Sequence, residues 1–99
     1  MRDLRRAPQF RRDVSDAWLY LAEEASPERA DRFIDAVTRT IETIRETPGI
    51  GRPRPEFSVP GVRSFRTARR YLIYYRLSES GEIELLRLYH TSRDPDAIL

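Results

Sequence analysis

The stretch that decides the fold is residues 71–90, YLIYYRLSESGEIELLRLYH. Aromatic and branched residues dominate its two halves, Tyr71–Ser78 and Glu82–His90, and this composition is typical of β-strands. The residues between the halves include Gly81, which can adopt the positive φ of a hairpin connection. The pattern predicts two antiparallel strands, and the similar segment Val62–Thr67 predicts a third strand before them.

Positions along a strand alternate between its two faces, so the pattern also predicts burial. The middle strand is expected to turn one set of side chains to the core, namely Tyr71, Ile73, Tyr75 and Leu77. Both faces of the last strand are partly apolar, with one face formed by Ile83, Leu85, Arg87 and Tyr89 and the opposite face by Glu84, Leu86, Leu88 and His90. A strand without a purely polar face is expected at the centre of a sheet, with a patch of apolar surface left for a partner.

Two amphipathic helices are predicted before the strands. Across Gln9–Ala25, apolar residues recur at intervals of three and four, which is the stripe of a helix that faces a core. Trp18 belongs to this stripe and is expected to be buried. A second helix is predicted to begin at Ser26-Pro27-Glu28, which combines a capping serine, a proline suited to the first helical position and an acidic residue at the positive end of the helix dipole. Pro48 and Gly49 end it, and the short connection predicts an antiparallel helix hairpin.

The remaining segments predict less regular structure. Residues 48–61 contain three of the four glycines and several prolines, and we expect an irregular connection there. A weaker strand, Asp3–Ala7, is expected to pair with one edge of the sheet, and Pro95–Leu99 to form a short helical turn or to fray. We therefore predict a single domain over residues 1–99 with an α+β fold, in which an antiparallel helix hairpin packs on a small, mainly antiparallel sheet of three to four strands.

Positive charge is concentrated in residues 52–76. This segment holds seven arginines and one acid, Glu56, although the net charge of the whole chain is only +2. Aromatic residues are interleaved with these arginines, and such a surface suits an anionic partner. All 18 basic residues of the chain are arginine, which fits bidentate binding of phosphate or carboxylate but is explained as well by genomic codon bias. The seven are Arg52, Arg54, Arg63, Arg66, Arg69, Arg70 and Arg76.

Composition argues against several kinds of site. The chain has no cysteine, so we expect neither disulfides nor thiolate metal sites. Its one histidine, His90, argues against a histidine metal site, and there is no glycine-rich phosphate loop or paired-carboxylate spacing. The amino terminus lacks the apolar run of a signal peptide, and no segment has the length and apolarity of a membrane span. We expect a cytoplasmic protein with no metal, no cofactor and no membrane partner.

Few residues are candidates for acid–base chemistry. His90 is the only side chain whose unperturbed pKa lies near neutrality. A lone histidine at the end of a strand is more often a structural residue, and we favour that interpretation. Glu56 is the one carboxylate among the arginines, so it is a candidate base or a surface partner of a neighbouring arginine. Arg63 and Arg66 are three positions apart in a strand, so they are expected on opposite faces.

The order of these elements resembles that of the ParE branch of the RelE/ParE toxin superfamily. After two helices, the resemblance is carried by Pro48–Arg52, Val62-Arg63, Tyr71–Arg76, Ile83–His90 and the closing Arg93-Asp94, which completes a His-x-x-Arg-Asp sequence. It implies a toxin of a type II toxin–antitoxin pair, neutralised by a cognate, ParD-like antitoxin in a hetero-oligomeric complex. ParE-like toxins are associated with poisoning DNA gyrase, whereas RelE-like relatives cut messenger RNA in the ribosome.

Three functions are open at this point. We favour a non-enzymatic inhibitor of gyrase, with no catalytic residues and with DNA contacted only through the antitoxin. The residues expected to bind the target are Arg63, Arg66, Arg69, Arg70 and Arg93. Those expected to bind the antitoxin are Arg52, Arg54, Tyr74 and Arg76.

The first alternative is a ribonuclease of the RelE type. A set resembling that of some such enzymes would use Glu56 as base, Arg63 or Arg66 on the phosphate and His90 as acid. These nucleases often use lysines, so the absence of lysine argues against this alternative. The second alternative is a non-toxic nucleic-acid-binding module that uses the same arginines.

Overall fold

The structure, a computed structural model, describes residues 2–92 of the 99-residue chain. Its elements are β1 (Leu4–Arg6), α1 (Pro8–Glu24), α2 (Pro27–Glu46), β2 (Arg52–Pro53), β3 (Val62–Thr67), β4 (Tyr71–Leu77) and β5 (Ile83–His90). A short 3₁₀ turn, Pro48–Ile50, connects α2 to β2. The predicted helices and the three predicted main strands are present with ends within two residues of those expected. The turn predicted at Pro95–Leu99 lies outside the described residues, as do Arg93 and Asp94.

The strands form one mixed sheet of five strands in the order β1-β5-β4-β3-β2. β1 runs parallel to β5, and the other pairs are antiparallel. The α+β class is confirmed, but the predicted count of three to four strands was too low because β2 lies in the segment predicted to be irregular. β2 has only two residues, and its Pro53 is tolerated because the strand is at the edge of the sheet. β5, predicted to be central, is an interior strand between β1 and β4, but β4 holds the middle position of the five.

Both helices pack on one face of the sheet. The Ser26 hydroxyl accepts a hydrogen bond from the backbone N–H of Arg29, so the predicted N-cap of α2 is confirmed. The core between helices and sheet is formed by Phe10, Ala17, Phe33, Val37, Ile41, Ile44, Ile73, Tyr75, Ile83, Leu85 and Leu88. Burial of each large apolar side chain in such a core contributes roughly 1.5–3 kcal/mol. None of the helices in residues 2–92 is both long and apolar enough to cross a membrane.

An irregularity in the pairing of β4 with β5 changes the predicted faces of the last strand. The adjacent positions 74 and 75 of β4 pair with positions 87 and 85 of β5, which leaves Leu86 as an extra residue. One extra residue reverses the alternation of the positions that follow it. Leu88 therefore lies in the core, while Tyr89 lies on the opposite face. The predicted face assignment was wrong beyond Leu86.

Two further predictions of burial were wrong. Leu77, expected in the core, lies at the end of β4 and is 46% exposed. Trp18, also expected in the core, is half-buried at the margin of the helix hairpin, where its indole N–H donates to Asp31 Oδ1 at 3.0 Å. An indole needs a partner for its N–H, and the margin of the two helices supplies a carboxylate that the core lacks.

Candidate functional site

The face of the sheet turned away from the helices, here called the open face, carries a second apolar cluster. Its centre is Tyr74, which is only 1% exposed, together with Val62. The half-buried side chains packed around them are Phe57, Val59, Leu72, Leu86 and Tyr89. The Phe57 ring meets Tyr74 edge-on with 5.5 Å between ring centroids. The segment that follows β2 therefore folds over part of the apolar patch that the sequence predicts.

Arg54 lies on this cluster. Its Nε donates to the hydroxyl of Ser64 at 2.8 Å, and its guanidinium lies over the Tyr74 ring, 5.8 Å from the centroid. Its Nη1 is 3.4 Å from Glu56 Oε2. The pKa of Glu56 is lowered, mainly by a hydrogen bond from its own backbone N–H and further by Arg54. Glu56 is thus an ionised surface carboxylate that partners an arginine.

Arg76, at the far end of the open face, belongs to a charge cluster that crosses three strands. Its Nε lies 3.2 Å from Glu84 Oε1, although the N–H is not aligned with that oxygen as a hydrogen bond. The other oxygen of Glu84 binds Arg5 of β1. Of the four residues expected to bind the antitoxin, Arg54 and Tyr74 are in contact, Arg76 is balanced by Glu84, and Arg52 is exposed on the edge strand.

Arg63 points to the other face of β3, as predicted for a pair on opposite faces. Its Nη1 donates to the backbone carbonyl of Gly51 at 2.8 Å and to that of Gly49 at 3.3 Å. The buried Tyr75 hydroxyl fixes the same segment, because it donates to the Pro48 carbonyl at 2.6 Å and accepts from the Gly51 N–H at 2.9 Å. A Cβ at Gly51 would lie 2.5 Å from that hydroxyl. Arg63 thus holds the turn after α2 and does not belong to the β3–β4 turn where Arg66, Arg69 and Arg70 lie.

The turn between β3 and β4 brings three candidate arginines together, and we call Arg66, Arg69 and Arg70 the arginine tip. Arg66 Nη1 donates to the backbone carbonyl of Arg69 at 2.7 Å. The carbonyl of Arg70 accepts from the backbone N–H of Thr91 at 2.7 Å, so the turn is also tied to the end of β5. Ala68 and Arg69 have φ values of 48° and 69°. The three side chains are exposed at one end of the sheet.

His90 lies on the helix side of that same end. Its ring meets Tyr71 edge-on, and its Nδ1 accepts a hydrogen bond from the Ser92 backbone N–H at 3.1 Å. It lines a pocket together with Asp13, Asp16, Ala17, Tyr20, Tyr71, Leu88 and Ser92. The four nuclease candidates are therefore not brought together: Glu56 is beside Arg54, Arg63 faces the turn after α2, and Arg66 is on the open face. Within residues 2–92, no three histidine or carboxylate side chains converge in a way that could hold a metal ion.

A groove between α1 and α2 is a feature that sequence reasoning missed. Its floor is formed by the core residues Phe10, Val37 and Ile41, and the half-buried Val14 and Ile34 line its sides. Arg6 and Arg11 stand at the same groove and are both exposed. The apolar residues were assigned to the core by their spacing, and the two arginines lie outside the segment where charge drew attention. Only the packing of the two helices shows that the groove and the arginines adjoin.

The helix hairpin on one face of a mixed sheet agrees with the α+β fold predicted for the chain. Residues 4–95 match the sequence profile of the ParE toxin of type II toxin–antitoxin system, parDE. The chain belongs to this family, and it is therefore a toxin of the ParDE type.

Individual relatives agree with this assignment. The chain is 27% identical to Toxin ParE1 of Caulobacter vibrioides over 99 residues, which cover 100% of this chain and 99% of that protein. A solved structure of the chromosomal ParDE toxin–antitoxin system from P. aeruginosa is similar with a TM-score of 0.76, covering 91% of this chain and 96% of that one. Sequence identity to that structure is 22%, so this likeness concerns the fold.

Proposed function

We propose that this ParE-family toxin inhibits DNA gyrase in the cytoplasm by binding it, and that a cognate ParD-like antitoxin neutralises it. The observation that carries the proposal is the separation of Glu56, Arg63, Arg66 and His90 on different faces and segments. General acid–base catalysis of phosphoryl transfer needs its groups within hydrogen-bond reach of one reacting centre. Because these four groups do not converge on one centre, while exposed arginines are available at the surface, we favour action through a binding surface.

Two surfaces suit an acidic antitoxin tail. The groove between α1 and α2 fits the apolar side of an amphipathic helix, with Arg6 and Arg11 placed to meet its carboxylates. The open face offers Arg54 stacked on Tyr74, and Arg52 on the edge strand, to an extended segment. A segment that is disordered before binding can wrap both sides of a small protein. The antitoxin in this proposal covers the groove with a helix and the open face with the chain beyond it.

The proposal is tested by two assays on one preparation of the purified chain. Inhibition of gyrase supercoiling, relieved by the protein encoded beside this gene, is the expected result. Ribosome-dependent cleavage of messenger RNA is expected to be absent. Cleavage that Glu56→Ala or His90→Ala abolishes, with supercoiling unaffected, would replace gyrase inhibition by RelE-type activity.

A further inference from the structure

We propose that this toxin binds its target through the arginine tip, and that the tip binds an acidic segment of the target protein that carries two or three carboxylates. The inference rests on the proposed function, since it names the contact through which inhibition by binding would occur. It narrows the candidates to Arg66, Arg69 and Arg70, and it leaves out Arg63, whose guanidinium is occupied by the carbonyls of Gly49 and Gly51.

Among the described residues, no carboxylate compensates the charge of the tip. Within residues 2–92, the arginines in ion pairs are Arg5, Arg45, Arg54, Arg76 and Arg87. None of the three tip arginines has a carboxylate partner there, although Asp and Glu are about as numerous as Arg in the chain. Each guanidinium carries five N–H donors, and the bond from Arg66 to the Arg69 carbonyl uses few of them. In the part of the chain that the structure describes, the tip therefore presents three exposed cations with unused donors.

The tip is also held in place before any partner arrives. Ala68 and Arg69 both adopt positive φ, which glycine or asparagine normally supply at the centre of a tight hairpin turn. Strained backbone of this kind persists only where its surroundings hold it, and it is concentrated at binding sites. Here the bond from Arg66 and the bond from Thr91 to the Arg70 carbonyl hold the turn from two sides. Preorganisation lowers the entropic cost of binding.

The surroundings favour a protein partner over nucleic acid. Binding along a phosphate backbone needs a basic track over many nucleotides. The arginine tip is confined to a single turn, and the adjoining pocket beside Tyr71 and His90 contains the carboxylates of Asp13 and Asp16. The charge of Asp13 is balanced by Arg87, but the exposed carboxylate of Asp16 would repel a continuing phosphate backbone. A short acidic segment can pair with the arginines through bidentate hydrogen bonds and end before the pocket.

The test compares Arg69→Glu/Arg70→Glu with the control Arg29→Glu/Arg32→Glu, which reverses two exposed arginines on α2. Circular dichroism and thermal unfolding establish that each variant is folded. We expect the tip variant to lose growth arrest when expressed without antitoxin and to need roughly tenfold or more protein for half inhibition of gyrase. The control is expected to match the wild type in both assays. If charge reversal unfolds the chain, Arg69→Gln/Arg70→Gln removes the same charges without repulsion.

The outcomes distinguish a failure of the arginine-tip hypothesis from a failure of the hypothesis that gyrase is the target. Growth arrest by the tip variant equal to that of the control would overturn the inference. Arrest by the wild type that is lost in the tip variant, without any effect on supercoiling, would support the tip and reject gyrase. A wild-type chain with neither effect would reject both. Tight binding of labelled duplex DNA or single-stranded RNA at about 0.15 M salt, lost in the tip variant, would overturn the assignment to an acidic protein.

Discussion

Oδ2 of Asp13 lies 2.7 Å from Nε of Arg87 and also accepts the backbone N–H of Leu88 at 3.0 Å. The second oxygen of Asp13 accepts from Arg87 Nη2 at 3.2 Å, so the pair is bidentate. β1 pairs with β5 only as far as Leu85, and beyond that point no strand of the described residues 2–92 pairs with this side of β5. One carboxylate of α1 therefore takes the place of a neighbouring strand. The same hydrogen bond raises the pKa of Arg87.

Replacing Asp13 tests how much this contact contributes to stability. The side chains of Asp13 and Arg87 are only 10% and 19% exposed, so Asp13→Ala removes a bidentate carboxylate from a mostly buried guanidinium and the acceptor of the Leu88 backbone N–H. We expect a loss of about 3 kcal/mol in the free energy of unfolding, measured by urea denaturation. Asp16→Ala, on the exposed side of the same helix, is the control and is expected to change stability by less than about 0.5 kcal/mol. Equal stability of the two variants would show that the contact contributes nothing.

The contribution of Tyr75 to the stability of the fold is expected to fall at alkaline pH. Burial raises the pKa of this phenol above its ordinary value of 10.0. Because the folded value is the higher one, the contribution is complete below the unfolded pKa and is lost as pH rises through the folded pKa. Tyr75→Phe is expected to cost about 1–3 kcal/mol at neutral pH, since the Pro48 carbonyl and the Gly51 N–H lose their partner.

The pH profile distinguishes this cause from lost packing. Above pH 10, the unfolding temperature of Tyr75→Phe is expected to fall less steeply with pH than that of the wild type. Tyr20→Phe is the control, because Tyr20 is 61% exposed. Parallel profiles for Tyr75→Phe and the wild type would mean that the phenol does not titrate differently in the folded state.

The turn at Ala68 is expected to respond to glycine in the direction opposite to most glycine substitutions. Its φ of 48° is unfavourable for alanine and free of strain for glycine, so Ala68→Gly should stabilise the chain by about 1 kcal/mol. Ala68→Val adds a β-branched side chain at the same φ and should destabilise it. Growth arrest is expected to persist in both, since the tip arginines are unchanged. A stability loss in Ala68→Gly, measured by thermal unfolding, would show that the turn is not strained at this position.

The groove between α1 and α2 is tested by its two arginines. Arg6→Glu/Arg11→Glu should weaken antitoxin binding roughly tenfold or more at low salt, because it places like charges opposite an acidic helix. The difference should shrink as salt is raised, since these arginines are exposed. Titration calorimetry against the antitoxin at two salt concentrations measures both effects. Affinity that matches the Arg29→Glu/Arg32→Glu control would place the antitoxin elsewhere.

The parts of the fold that depend on local sequence patterns could be predicted from the sequence. The hairpin at residues 71–90, the cap at Ser26 and the helix stripes each depend on neighbours a few positions away, and all are present. The extra residue at Leu86 could not be predicted from the sequence, because it is defined only by which residues of β4 and β5 pair. The burial of Tyr74 likewise depends on Phe57, which is far from it in sequence.

The candidate site could be predicted only in part, because some of its residues come together only when distant segments pack. The tip arginines are neighbours in sequence around one turn, so a local pattern could group them. Arg63 belongs to the same stretch, yet its side chain serves the carbonyls of Gly49 and Gly51 because β3 turns it to the other face. Arg6 and Arg11 became candidates only when the helices packed and formed a groove beside them. The number of arginines in a segment does not show whether each one is exposed in a turn, bound to a backbone carbonyl or placed beside a groove.

The most direct test of the central claim is a gyrase supercoiling assay with increasing amounts of the purified chain. The account predicts dose-dependent loss of supercoiling, restored by the antitoxin and much reduced for Arg69→Glu/Arg70→Glu at equal protein concentration. Full supercoiling at a large excess of folded wild-type toxin, from a preparation that still arrests growth, would contradict it.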